Sequence, residues 1–283
     1  MANYFLRFPG NKHKAMTFSY DDGPREDVKL MKLFNEYGIK ATFNINSGSF
    51  PTEDQKGSKT FRMTAEEAYA LYKNSGHEVA CHTLSHANLP ELPAGMAAFE
   101  VMKDRENLEE LFGEFICGMS YPYGTYNEQV METLKNAGIL YARTSDSSHS
   151  FAIPKESDFL HFDPTSHHAD SDIFELVEKF KAIDLTGRDR DPVMFYIWGH
   201  SFEFDSRFGG NWDGIEKLVK SVAFMKDTWY ATNGEIFSYI SAFNKLVFTM
   251  NKRFVKNPTD KEICFFYNEK DYTIKPGETL ELA

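Results

Sequence analysis

Two adjacent carboxylates, Asp21 and Asp22, close the stretch SYDD and are followed at once by Gly23 and Pro24. By itself Asp-Asp-Gly-Pro is turn chemistry: Asp tolerates turn geometry, Gly supplies positive φ, and Pro presets φ at about −65°. The preceding run KAMTFSY, 14–20, is apolar and β-rich and reads as a buried strand. The pair therefore stands at the C-terminal end of a strand, where α/β proteins place their chemistry. Another strand runs into CHTLSHANLP and supplies His82 and His86. A lone His is ordinarily a satisfied core or surface residue, because neutral imidazole hydrogen-bonds readily. Two of them four residues apart share one face of a helical or an extended segment. One carboxylate and two imidazoles make a three-ligand site with open positions, which suits Zn²⁺ or a related divalent ion acting as a Lewis acid. Only one Asp is then needed for the metal; the other, within reach of the attacking water, can be a general base. The same donor set also matches the facial triad of non-haem iron oxygenases.

The elements that must position these residues follow from periodicity. After the first strand come a helix in 25–38 and a strand in 39–46. Next is a helix in 63–76 with Thr64 and Glu67 as a capping box, then the strand HEVACH, 77–82. Helices at 95–112 and 126–137 alternate with strands at 115–121 and 139–144. A helix near 172–184, the strand 192–198 and helices near 213–227 and 234–247 complete the pattern. Repeated strand-helix units with apolar, unalternating strands mean a parallel sheet covered by helices. Six to eight such units fit a closed or nearly closed barrel over 1–250 better than an open sheet. From there the pattern changes to short strand-like runs broken by Asn-Pro and Pro-Gly, a small β appendage at 251–283.

Composition bounds the partners. At 283 residues and 42% hydrophobic, the chain can bury a full barrel core. A net charge of −11 with no basic run argues against nucleic acid or an anionic membrane surface. No stretch reaches the about 20 apolar residues of a membrane span. The N-terminal segment lacks an apolar core of signal-peptide length. The expectation is a cytoplasmic protein, or a secreted one if a leader has been trimmed away. Cys81, Cys117 and Cys264 are few, scattered and odd in number, so reduced thiols are expected.

SYDDGP, GHEVACHTLSH, SYPYGTYN and the strand ending IWGH resemble, in order and placement, the sequence blocks of NodB-homology polysaccharide deacetylases, carbohydrate esterase family 4. YGIKATFNINSG is similar to that family's second strand. The resemblance spans about 13–200. It implies a distorted (β/α)7-type barrel that removes N- or O-acetyl groups from a sugar or polysaccharide. It implies Asp21 as the base; Asp22, His82 and His86 as metal ligands, usually for zinc; Tyr123 as a backbone oxyanion donor; and His200 as the acid. Pro122 and Tyr121, in the same block, are expected to shape the substrate groove, with Trp198 and Phe202 placed to stack on sugar faces. Two departures stand out. Ser120 occupies the place of an Arg that should open the third block, and YARTSDSSHSFAIP replaces an Asp-rich fourth block. Ser120 is too short for a two-pronged clamp on the base, so Arg143, ending the next strand, is expected to take that role, with Asp146 as the other candidate. The segment HFDPTSHHAD reads as a surface loop from which His168 could line the cleft. A catalytically weakened carbohydrate-binding protein is the alternative those departures raise.

Overall fold

A computed structural model describes residues 4–52, 55, 61–184 and 191–282. The chain opens with strand β1 (Phe5–Arg7) and β2 (Lys14–Asp21), the latter buried along its whole length. Strands and helices then alternate: α1 (Asp27–Glu36), β3 (Ala41–Ile45), α2 (Ala65–Tyr72), β4 (Glu78–Cys81), α3 (Ala94–Phe112), β5 (Gly118–Ser120), α4 (Glu128–Asn136) and β6 (Tyr141–Arg143). Next come β7 (Ser166–His167), α5 (Ile173–Ala182), β8 (Val193–Gly199), α6 (Trp212–Val222), β9 (Thr228–Tyr230) and α7 (Asn233–Asn244). The tail is all strand: β10 (Val247–Phe248), β11 (Phe254–Lys256), β12 (Ile263–Tyr267), β13 (Lys270–Ile274) and β14 (Thr279–Glu281).

One parallel sheet runs in the order β6-β5-β4-β3-β2-β8-β7, and β9 also pairs with β2. It curls until its ends are joined by the extended stretch 162–168. On one side Phe162 bridges to Arg143, and its N–H donates to the Ala142 carbonyl at 2.9 Å. On the other, the Thr165 and His168 N–H groups donate to the Tyr196 and Trp198 carbonyls at 2.8 and 2.9 Å. This is the distorted α/β barrel that the alternation predicts. Helices pack outside it on a core that includes Phe18, Phe34, Phe43, Leu108 and Val219. Thr64 and Glu67 form the capping box of α2.

The tail takes part in a second core. β12 pairs antiparallel with β1, Leu6 opposite Phe265, so the N-terminal strand completes the C-terminal sheet. Leu6, Phe8, Ile263 and Phe265 cluster there with Tyr239 of α7. The short strands β1, β7 and β9 carry too few residues for periodicity to reveal. Among the described residues no helix is long and apolar enough to cross a membrane, and the three cysteines are unpaired.

Opposite the strand C-termini, α7 plugs the barrel through one carboxylate. Glu78 accepts from the Gly234 N–H at 2.8 Å, the Tyr141 phenol at 2.7 Å and the Thr42 hydroxyl at 2.7 Å. Burial pushes its carboxyl up. Glu78→Ala would orphan three donors drawn from two strands and a helix, and buried unsatisfied groups cost about 1–3 kcal/mol each. We expect urea unfolding of this variant to show a loss of about 3 kcal/mol or more. An unchanged midpoint would mean water replaces the carboxylate and the plug contributes nothing.

Candidate active site

The residues singled out by spacing gather at the C-terminal mouth of the barrel. Asp21, the last residue of β2, is 2% exposed. Its Oδ1 accepts from Asn44 Nδ2 at 2.8 Å and from Ser120 Oγ at 3.0 Å, while Oδ2 accepts from Arg143 Nη2. Arg143 is itself buried and pinned: Nε donates to Ser19 Oγ at 3.2 Å, Nη1 to the Thr144 carbonyl at 2.7 Å. Its guanidinium carbon lies 4.5 Å from the centre of the Trp198 ring. Burial alone would push the Asp21 carboxyl up. The Arg143 guanidinium, with His82 and His200 nearby, outweighs this and holds it well below the usual carboxylate range. Ser120 does not form a clamp, yet its hydroxyl supplies one hydrogen bond to Asp21.

Asp22, beside it, faces a different environment. Asp22, His82 and His86 each offer a ligand atom, all within 4.8 Å of one another. His82 Nδ1 donates to the Ser120 carbonyl at 2.9 Å and lies 2.7 Å from Ser120 Oγ, whose own proton goes to Asp21. That leaves Nε2 buried and without a hydrogen-bond partner among the described residues. Burial lowers the His82 pKa to about 4, so the ring is neutral. An imidazole with one nitrogen fixed as donor and the other bare and buried is the form a cation ligand takes. His86 Nε2 lies 3.9 Å from Asp22 Oδ1, which also accepts from Arg62 Nη2 at 3.1 Å. The donor set fits a divalent cation.

The loops carrying these donors depart from ordinary backbone. Asp22, Thr83, His86 and Tyr123 have φ of 78, 62, 61 and 59°, a left-handed region that costs a non-Gly residue about 1–3 kcal/mol. Hydrogen bonds hold them there. Asp104 of α3 accepts from the His82 and Ser47 N–H groups at 3.0 and 2.7 Å. Asn46 Nδ2 donates to the Thr83 carbonyl at 2.9 Å, and Glu100 accepts from the Ser85 N–H at 2.9 Å. Burial pushes the Asp104 carboxyl up to about 7.

His200 follows β8, its Nδ1 3.2 Å from Glu203 Oε1. Burial would lower its pKa, but Glu203, Asp21 and Asp22 together raise it. The ring of Tyr123 is 66% exposed and stands edge-on to His86, centroids 4.6 Å apart. Tyr121 and Pro122 are buried, the Tyr121 phenol donating to the Leu160 carbonyl at 2.8 Å. Trp198 is half-buried under Arg143. His168 is buried beneath the mouth, one nitrogen against Tyr20 and the other against Glu203. Asp146 is not among the partners of Asp21. Asn44, Asp104, Arg62 and Glu203 are the polar residues of this mouth that motif spacing does not single out.

Residues 9–142 match the family model described as Polysaccharide deacetylase. A chitin deacetylase from Pestalotiopsis sp is 31% identical over 125 residues, 44% of this chain and 38% of that protein. A peptidoglycan-N-acetylglucosamine deacetylase from Bacillus cereus is 25% identical over 138 residues, 47% of this chain and 45% of the relative. The chain thus spans less than half the length of these relatives. Among solved structures, peptidoglycan deacetylase PdaC from Bacillus subtilis superposes with a TM-score of 0.52 at 15% identity, covering 82% of this chain and 94% of the other. The Xyl-CE4 domain of a multidomain xylanase, from the hindgut metagenome of Trinervitermes trinervoides, gives 0.51 at 16% identity, covering 81% and 91%. At such identities the superpositions establish a common fold.

Asp22→Ala, His82→Ala and His86→Ala should each weaken Zn²⁺ binding by more than about tenfold in competition with a chromophoric chelator. Arg143→Met should leave that affinity unchanged. Three variants with parental affinity would put the cation elsewhere.

Proposed function

We propose that this chain is a divalent-metal-dependent hydrolase that removes acetyl groups from an acetylated sugar polymer. The observation that carries this reading is the divergence of Asp21 and Asp22. One carboxylate is enclosed by Arg143, Asn44 and Ser120 and kept ionised, while the other is turned by a left-handed backbone toward His86. Two adjacent acids with different partners serve two different roles.

Asp22, His82 and His86 would hold a divalent cation, zinc being the ion this nitrogen and oxygen set suits, and such an ion would supply Lewis acidity at the mouth. Asp21, ionised and fixed by three donors, takes the proton of the attacking water. The carbonyl oxygen gathers charge as the tetrahedral carbon forms, and the backbone N–H of Tyr123, in the left-handed turn after β5, is the donor assigned to it. His200, whose pKa its acidic neighbours raise, gives a proton to the departing sugar nitrogen or oxygen as the bond to the acetyl carbon breaks. Acetate and a free amine or hydroxyl result. Arg143 keeps Asp21 aimed and does not itself touch the substrate; it supplies from β6 the guanidinium that Ser120 cannot. The argument for a binding protein without turnover needs a base left unheld, and Asp21 is held from three sides.

Asp21→Asn and His200→Ala should each retain zinc and lose about 10²-fold or more in kcat, as removal of a general base or acid does. Acetate release from N-acetylated chitooligosaccharides and peptidoglycan fragments measures it. Full turnover in Asp21→Asn would reduce Asp21 to a turn residue and end the proposal.

A further inference from the structure

Behind His200 lies a second cluster of metal-ligand types. His167, His168 and Glu203 each offer a ligand atom, all within 4.8 Å of one another. Glu203 Oε2 lies 3.1 Å from both His167 Nε2 and His168 Nε2. The other carboxylate oxygen, Oε1, faces His200 Nδ1, and the His200 N–H donates to Oε2 at 3.2 Å. One carboxylate thus meets three imidazoles.

The protons on those rings decide what the cluster is. The Ala169 N–H donates to His167 Nδ1 at 3.2 Å, so that nitrogen is an acceptor and the proton of the neutral ring sits on Nε2. His167 Nε2 therefore donates to Glu203 and has no lone pair to give a cation. His168 is held as firmly. Its side chain is 4% exposed, it stacks on Tyr20 with rings 9° from parallel, and its Nδ1 lies 3.4 Å from the Tyr20 phenol. Burial lowers its pKa to about 4, so it too is neutral. With the Tyr20 O–H donating to Nδ1, its Nε2 proton points at Glu203. The ring also fills the space of a side chain at position 199: a Cβ there would come within 1.9 Å of His168 Nδ1. The residue before His200 is accordingly Gly199.

We propose that His167 and His168 are positioning residues for His200, acting through Glu203, and that this cluster is a hydrogen-bonded clamp and not a second cation site. Their two N–H groups hold the Glu203 carboxylate ionised in one orientation. It in turn fixes the Nδ1 proton of His200, so that Nε2 is the nitrogen presented to the mouth. The groups facing His200 are Glu203 from its own turn, Asp21 and Asp22 across the mouth, His168 from the closing segment, and the rings of Trp198 and Phe202. The catalytic part of the proposal rests on His200 being the acid of the reaction above.

The test is ¹⁵N-histidine NMR on the full chain alongside the pH dependence of kcat/KM, for Glu203→Gln, His168→Leu, His168→Gln and His167→Gln. In the parent, the His200 proton should reside on Nδ1 in the neutral ring, and His167 should be the Nε2–H tautomer. Glu203→Gln and His168→Leu should lower the His200 pKa and move the alkaline limb of kcat/KM to lower pH by about one unit, with kcat down about tenfold and zinc content unchanged. His168→Gln, which keeps an N–H donor, should restore most of both. If His168→Leu fails to fold, Glu203→Gln and His167→Gln, at the more exposed side of the clamp, carry the same readout. The clamp is overturned if the His200 titration is the same in parent, Glu203→Gln and His168→Leu. It is equally overturned if the chain binds a second zinc that His167→Gln abolishes. If the NMR shifts appear but kcat/KM follows none of them, the clamp stands and the assignment of His200 as acid fails.

Discussion

The active end of this barrel depends on one buried ion pair, Asp21 with Arg143. Taking two charges into a protein interior costs several kcal/mol each, and only close geometry and further hydrogen bonds offset it. Here all three nitrogens of Arg143 and both oxygens of Asp21 have partners. Asp21 takes donors from Arg143, Asn44 and Ser120, and Arg143 also gives Nε to Ser19 and Nη1 to the Thr144 carbonyl. The partners come from β2, β3, β5 and β6. In the sheet order β6 stands four places from β2, so the pair forms only because the sheet curls and brings the two strand ends face to face across the interior. Barrel curvature and the ionised state of Asp21 are therefore one constraint seen at two scales.

The same economy of position explains the backbone. Four left-handed non-Gly residues sit at the mouth, and a chain tolerates such strain only where surrounding bonds over-determine it. Helix α3 supplies those bonds through Glu100 and Asp104, which strap the loop that carries His82 and His86. A carboxyl pushed up to about 7 by burial, as Asp104 is, would be a poor choice if its only task were to stabilise the helix. It accepts from the Ser47 N–H and shares the His82 N–H with the Ile45 carbonyl, tying the loop after β4 to the end of β3.

Much of this was legible in the sequence and the rest fails for identifiable reasons. The strand-helix alternation and the barrel follow from apolar periodicity, and Arg143 is singled out by the Arg that the family resemblance finds missing at Ser120 together with strand ends sharing one mouth. The β1-β12 pairing does not, because registering Phe5 with Phe266 is a contact across nearly the whole chain with no local signal. Asp104 left a trace that could have been read: it falls on the buried stripe Ala97, Val101, Leu108, Phe112 of α3, where an acid needs a reason. Glu203 left a fainter one. It stands three residues after His200 on a short turn, and on pattern alone such a Glu reads as a solvated helix-start residue.

The two clusters at this mouth contain nearly the same residue types, two histidines and one carboxylate, within the same 4.8 Å. What separates them is the partner of the far nitrogen on one ring. His82 gives its Nδ1 proton to Ser120, which leaves Nε2 bare. His167 Nδ1 accepts a hydrogen bond from the Ala169 N–H, which leaves the ring proton on Nε2 as a donor. Since each neutral imidazole carries one proton, a backbone carbonyl in the first case and a backbone N–H in the second set opposite chemistry on the opposite edge of the ring. Residue type and distance are therefore not enough to distinguish a cation site from a hydrogen-bond clamp. The direction of one main-chain hydrogen bond is, and the loop conformations after β4 and within the closing segment 162–168 exist to set it.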